Sequence, residues 1–279
     1  MPDDEDWYDP ELGGEQPPEK KYDPVVEEAC DELTKFFDAH PEDVYYEKQI
    51  EIFFERTYFH WITTKALKEL RELRKIESDL QALENVGKLR FYFHRRNRYW
   101  RRKAAEIKRL VQQFSTPEFT AALGQQGELH IDAGLPTVGF HPQSMNVREF
   151  RGRAWEKTNH NLDRVFERDG VFYGTEIKNR LSYIERAEFD IKMQMCHELR
   201  LAPLFIARMM PKNYINDVFR SGGLVLIMGY QLYPLGFAAL ARQVRDRLQL
   251  PVDAPARLQQ GTLQRLLNAH HRKLAGNRS

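Results

Sequence analysis

Two carboxylates and a lysine stand at spacings that would set them on one face of a β-hairpin. Residues 161–179 read NLDRVFERDGVFYGTEIKN. Leu162–Arg168 and Val171–Lys178 are rich in β-branched and aromatic residues. Only Asp169-Gly170 separates them, a pair suited to a tight two-residue turn. Pairing Arg168 with Val171 and counting back brings Asp163 opposite Glu176. Directly opposed residues on one face lie roughly 4.5–5.5 Å apart at Cβ. Side chains alternate along a strand, so Lys178 shares that face and Ile177 turns away. Opposed carboxylates repel. A bound divalent cation would remove the penalty, so the spacing asks for a metal. The plain alternative is a solvated hairpin face with an ordinary Glu and Lys.

Asp163 followed by Glu176-Ile177-Lys178 resembles the active site of the PD-(D/E)XK nuclease superfamily, which includes restriction endonucleases and archaeal Holliday-junction resolvases. The resemblance covers residues 119–233, with Leu162 where many members carry Pro. It implies an α/β chain with a mixed-sheet, restriction-endonuclease-like core in the order helix, three strands, helix, strand. It implies Mg2+, with Mn2+ able to substitute, held by Asp163 and Glu176 beside a scissile phosphate, and no small-molecule cofactor. Lys178 would position the attacking water, help deprotonate it, or offset developing charge. A glutamate on the helix before the first core strand implies Glu128 as a further catalytic and metal-binding acid, with Asp132 as the fallback. Gln194 on the second helix, His160 and Glu156 are accessory candidates. Glu19-Lys20-Lys21, Glu106-Ile107-Lys108 and the variant Asp190-Ile191-Lys192 fall in an acidic tail or in helical patterns. Only Glu176 lies on an expected strand with an acid across a hairpin.

The positioning elements follow from periodicity. Residues 117–132, 181–201 and 235–250 predict helices, and 146–151, 204–208 and 224–228 predict core strands. Upstream, residues 46–55 predict a helix and 56–60 a break. Thr63 and Thr64 are the expected N-caps of a helix over 65–75. Strand-like residues at 80–83 and 89–93 flank the turn Glu84-Asn85-Val86-Gly87. This order resembles a winged-helix domain, mostly helical, whose second helix would bring Thr64, Lys65 and Lys68 to the major groove of DNA. Residues 88–109 hold ten Lys or Arg against one acid, Glu106. Among them Arg95, Arg96, Arg98, Arg101 and Arg102 are expected on phosphates. Trp100, with Phe91, Tyr92, Phe93 and Tyr99, is expected to stack on bases. The alternative makes those aromatics core residues.

The chain of 279 residues carries +1 overall, which conceals an asymmetry. Residues 1–24 hold nine acids and two lysines, a net of −7, leaving +8 for the remainder. Such a tail is expected to be disordered. The expected division is a tail over 1–24, a nucleic-acid-binding domain over 25–112, a nuclease domain over 113–250 and a basic extension over 251–279. Two distant cysteines, Cys30 and Cys196, support neither a disulfide framework nor a zinc site. With no signal peptide and no apolar run of membrane length, a soluble, cytoplasmic protein is expected. The expected function is DNA phosphodiester hydrolysis, with restriction or defence against foreign DNA as family analogy. A homodimer would follow from double-strand cleavage. An RNA, single-strand or branched-DNA nuclease, or an inactive DNA-binding regulator, stands as the alternative.

Overall fold

The structure is a computed structural model that describes residues 23–84 and 87–276. Most of the acidic tail (1–22), the turn residues Asn85 and Val86, and residues 277–279 lie outside the described residues. The first helix, α1 (Pro24–Ala39), starts with Pro24 beneath Asp23, whose carboxylate accepts from the Val25 N–H at 3.2 Å. Then come β1 (Val44–Tyr46), α2 (Glu47–Phe54), α3 (His60–Glu72), β2 (Ile76–Leu83), β3 (Gly87–His94) and α4 (Trp100–Phe114). The three strands form an antiparallel sheet in the order β1-β3-β2.

α3 begins earlier than its expected caps. Its N-cap is Phe59, with no side-chain bond, and Thr63 and Thr64 lie inside the helix. The buried stripe Ile62, Ala66, Leu67 and Leu70 extends the helix back past the threonines. Thr64 instead donates to Glu51 at 3.1 Å.

The second half continues with α5 (Pro117–Gly134), a single 3-10 turn (Leu135–Val138), β4 (His141–Val147), β5 (Glu149–Phe150), β6 (Arg153–Ala154), β7 (Leu162–Arg168) and β8 (Val171–Lys178). It closes with α6 (Arg186–Glu198), β9 (Ala202–Ala207), α7 (Lys212–Arg220), β10 (Leu224–Ile227), β11 (Gln231–Leu232), α8 (Ala238–Leu248), β12 (Val252–Asp253) and α9 (Gln260–Gly276). The large sheet has five strands in the order β10-β9-β8-β7-β4. β4, β7 and β8 pair antiparallel, and β8, β9 and β10 parallel, so the sheet is mixed and the chain α/β.

The first core strand is β4, seven residues centred well before the expected 146–151. Asn146 takes a φ of 50°, and Arg151 and Gly152 take 49° and 75°. Those left-handed residues end one strand and turn a separate small hairpin, β5–β6.

Helices cover both faces of the large sheet. On one face Phe166, Ile177, Leu204 and Leu226 pack with Ile131 of α5 and Leu263 and Leu266 of α9. On the other, Val165 meets Met195 and Cys196 of α6, while Phe205 meets Phe189 of α6 and Val218 of α7. Residues 251–276, expected as an appended extension, are therefore built into the core. Each fully buried Leu there contributes about 1.5–3 kcal/mol. A further apolar cluster joins Phe91, Phe93 and Leu110 to Phe119, Val244 and Leu248, so residues on both sides of position 112 share one core. Among the described residues no helix is long and apolar enough to cross a membrane.

The end of β8 is held by a close approach. Asn179 donates to the carbonyls of Leu123 and Leu232 and accepts from the Leu232 N–H, each at 2.7 Å. A Cβ on Gly127 of α5 would stand 2.6 Å from the Asn179 Cβ. Gly124, on the same helix, has nothing within 4 Å of such a Cβ. Helix propensity favours Ala at both positions. Urea denaturation should nevertheless show Gly127→Ala less stable by about 1–3 kcal/mol, and Gly124→Ala neutral or stabilised.

Candidate active site

The hairpin forms in the expected register. Arg168 pairs with Val171 and the ladder runs back to Arg164 opposite Thr175. One step further, the Asp163 carboxylate accepts from the Ile177 N–H at 2.7 Å, which fixes it against β8 beside Glu176. Glu176 is 1% exposed. Gly174 lets α6 settle on this face: a Cβ there would stand 2.8 Å from the Cys196 Sγ. Thus the sheet supplies the two acids and Lys178, and α6 covers them.

Two ammonium groups meet Glu176. Lys178 Nζ lies 2.6 Å from one carboxylate oxygen, and Lys192 Nζ of α6 lies 2.6 Å from the other. Both Glu176 oxygens are thus buried and met by charged nitrogens, with no neutral donor on either. Each lysine also has a second partner. Lys178 donates to Glu188 of α6 at 2.6 Å, and Lys192 donates to the Asn161 carbonyl. Arg180 also pairs with Glu188, at 3.2 Å.

Burial, and next the charge of Glu176, push the Asp163 carboxyl up to about 7, although the Ile177 N–H and both lysines work against the rise. Burial works against the Lys178 ammonium, but Glu176 and Glu188 outweigh it and raise its pKa. Burial likewise works against ionisation of Glu188, and the bond from Lys178 outweighs it, lowering that carboxyl. Lys178 is thus a held cation in this arrangement, not a ready proton acceptor.

Glu128 does not join the acids. Arg164, next to Asp163, points to the opposite face of β7 and takes Glu128 at 2.8 Å and Asp132 at 2.9 Å. Strand alternation therefore sends the α5 acids to an arginine rather than to Asp163 and Glu176. Among the described residues no group of three or more His, Cys, Asp or Glu side chains is set around one metal position. The donors that remain still suit Mg2+, which keeps several waters and takes one or two carboxylates. The observation behind that fit is the buried Glu176 carboxylate, whose two oxygens are answered by ammonium groups and by no neutral donor.

The accessory candidates are elsewhere engaged or exposed. Gln194 is exposed and lines a cleft with His197 and Arg200. Glu156 is exposed, and the His160 ring bonds Thr158 at 2.9 Å within its own loop. The site residue that motif spacing does not reveal is Lys192, in the variant Asp190-Ile191-Lys192. It falls on the apolar stripe of α6 with Phe189, Met195 and Cys196. A lysine at helical spacing among core positions is the one sign of it in the sequence.

The basic segment divides in two. Phe91, Tyr92 and Phe93 are buried, and Trp100 stacks on Phe93 with centroids 4.6 Å apart, so these rings serve the core rather than bases. Arg95, Arg96, Arg98, Arg101 and Arg102 lie beyond the end of β3 distant from the β2–β3 turn, and so not on a wing tip. Of these, Arg95, Arg96, Arg98, Arg101 and Arg102 reach solvent, where Asn97 between them is buried. On α3, Lys65 is 3.8 Å from Asp23 and Lys68 is exposed.

Comparison with family models, with curated proteins and with solved structures returned no match.

The raised Asp163 carboxyl carries a pH dependence. Its folded pKa of about 7 lies above the ordinary 3.8, so its contribution to stability is present below about 4 and is lost as pH rises through 7. In a chelating buffer at pH 8, Asp163→Asn should raise stability by roughly 1–3 kcal/mol and flatten the pH profile between 4 and 7. Thermal melts from about pH 4 to pH 8 measure both.

Proposed function

We propose that this chain is a metal-dependent endonuclease that hydrolyses DNA phosphodiester bonds. The observation that carries the reading is the hairpin that sets Asp163 against Glu176 with Lys178 on the same face. The order of α5, β4, β7, β8, α6 and β9 supports a PD-(D/E)XK-like core, with β5–β6 inserted between β4 and β7. The order of α1, β1, α2, α3, β2 and β3, with strand order β1-β3-β2, supports a winged-helix-like unit before it.

Asp163 and Glu176 would hold Mg2+ or Mn2+, which when bound supplies a water of lowered pKa and positive charge toward the phosphoryl oxygens. The Ile177 N–H keeps Asp163 aimed at Glu176. Lys192, 5% exposed at its side chain, stays beside Glu176 and offsets its charge. Lys178, 20% exposed at its side chain, is the more accessible of the two lysines and offers an ammonium to the phosphate. Arg95, Arg96, Arg98, Arg101 and Arg102 hold the backbone of the nucleic acid. Tyr99, 74% exposed between Arg98 and Arg101, favours keeping single-stranded DNA and RNA among the substrates tested. Cleavage of both strands would take two copies.

Supercoiled, duplex, branched and single-stranded substrates with Mg2+ test the reading. Asp163→Ala and Lys178→Ala should each lower the cleavage rate by about 10²–10³-fold while binding persists. Equal cutting by these variants and the parent chain would place the chemistry elsewhere or in a contaminant. Binding is tested separately. Replacing Arg95, Arg96 and Arg98 with Ala should reduce the slope of log affinity against log salt by about 0.9 for each phosphate that is no longer neutralised. An unchanged slope would take the nucleic acid off this surface.

A further inference from the structure

The cluster around Glu176 holds as many basic groups as acidic ones. Asp163, Glu176 and Glu188 face Lys178, Lys192 and Arg180. A divalent cation that comes to the two strand acids therefore meets ammonium groups where it must bind. One of them has to give way. Like charges a few ångströms apart in a partly buried site cost several kcal/mol at an effective dielectric constant of about 20.

The two lysines differ in how firmly they are held near Glu176. Lys192 is the more buried, donates to the Asn161 carbonyl and leaves α6 on the core face. Lys178 lies 2.6 Å from an oxygen of Glu176 and donates to Glu188 at the same distance. Glu188 stands in the first turn of α6, where Arg180 also holds it. Lys178 thus rests between two carboxylates, 2.6 Å from an oxygen of each. Few atoms need move for it to leave Glu176 and remain with Glu188.

We propose that Glu188 is a positioning residue: it keeps hold of the Lys178 ammonium when a divalent cation displaces that ammonium from Glu176. The proposal rests on Asp163 and Glu176 being the cation ligands. Lys178 is then both a stand-in counter-ion and the group handed to the substrate phosphate. Glu188 spares it a free search, because the ammonium is already bonded to this second carboxylate. The acid on α6 acts through lysine and does not itself touch the metal.

Manganese(II) titrated into the full chain without nucleic acid, followed by the paramagnetic resonance signal of free ion, tests this. Lys178→Met removes the competing cation, and should bind Mn2+ about tenfold more tightly, equivalent to 1.4 kcal/mol. Glu188→Gln leaves Lys178 only Glu176 to pair with, and should weaken Mn2+ binding several-fold. In the Lys178→Met background, the Glu188→Gln effect should largely vanish, as a double-mutant cycle reads it. A Glu188→Gln loss of equal size in both backgrounds would make Glu188 a direct ligand and overturn the proposal. So would Lys178→Met binding no tighter than the parent chain. Failure of the underlying site looks different: Asp163→Asn and Glu176→Gln would then leave Mn2+ binding unchanged. Thermal melts of each variant separate these outcomes from misfolding.

Discussion

A carboxylate buried to 1% exposure is costly unless opposite charge stands close, and Glu176 is such a group. Much of the second half can be understood as the means of satisfying it. β8 carries Lys178 two residues on, so alternation returns that side chain to the same face. α6 brings Lys192 down onto the other oxygen. That requires α6 to lie close over the sheet, which Gly174 permits where any larger residue would strike Cys196 or Leu162. On the far face, the tight contact of Gly127 with Asn179 fixes where β8 ends. The acid is thus met by charge from two elements, and both depend on glycines for their approach.

The first half is tied to the same end of the sheet. Arg208, immediately after β9 and 2% exposed at its side chain, grips Glu55 with two contacts of 2.6 Å and also donates to the Leu181 carbonyl at 2.6 Å. Tyr183 reaches the Glu55 carbonyl at 3.3 Å and sets its ring against His60 at the start of α3. These contacts fall on the segment that follows Lys178 and leads into α6. Removing one partner of a buried pair strands the other, so the junction is sensitive to change on either side.

What is legible in the sequence is local. The Asp-Gly turn, the alternating apolar runs and the register they impose are enough to bring Asp163 beside Glu176. The continuous runs of β9 and β10 are also readable, because strands buried on both faces need apolar side chains at every position. Boundaries are less so. Thr63 and Thr64 have the chemistry of caps, yet the apolar stripe of α3 runs through them. Residues 146–151 have the pattern of one strand, yet left-handed backbone at Asn146 and Arg151 breaks it. Residues 88–94 have the composition of a basic aromatic surface, yet their rings belong to the core. At α3 and β3 burial against other elements outweighs the local pattern, and at 146–151 the left-handed backbone does.

The sequence by itself determined the hairpin and its acidic face, because a two-residue turn and strict alternation leave one register. It also determined that the charge of the chain is uneven, since that is a property of composition. Only the tertiary structure decided which charges meet. Arg164 drew Glu128 and Asp132 to the opposite face, and α6 delivered Lys192 and Glu188 in their place. A carboxylate is answered by whichever cation packing brings within a few ångströms, and packing joins residues that spacing along the chain does not relate.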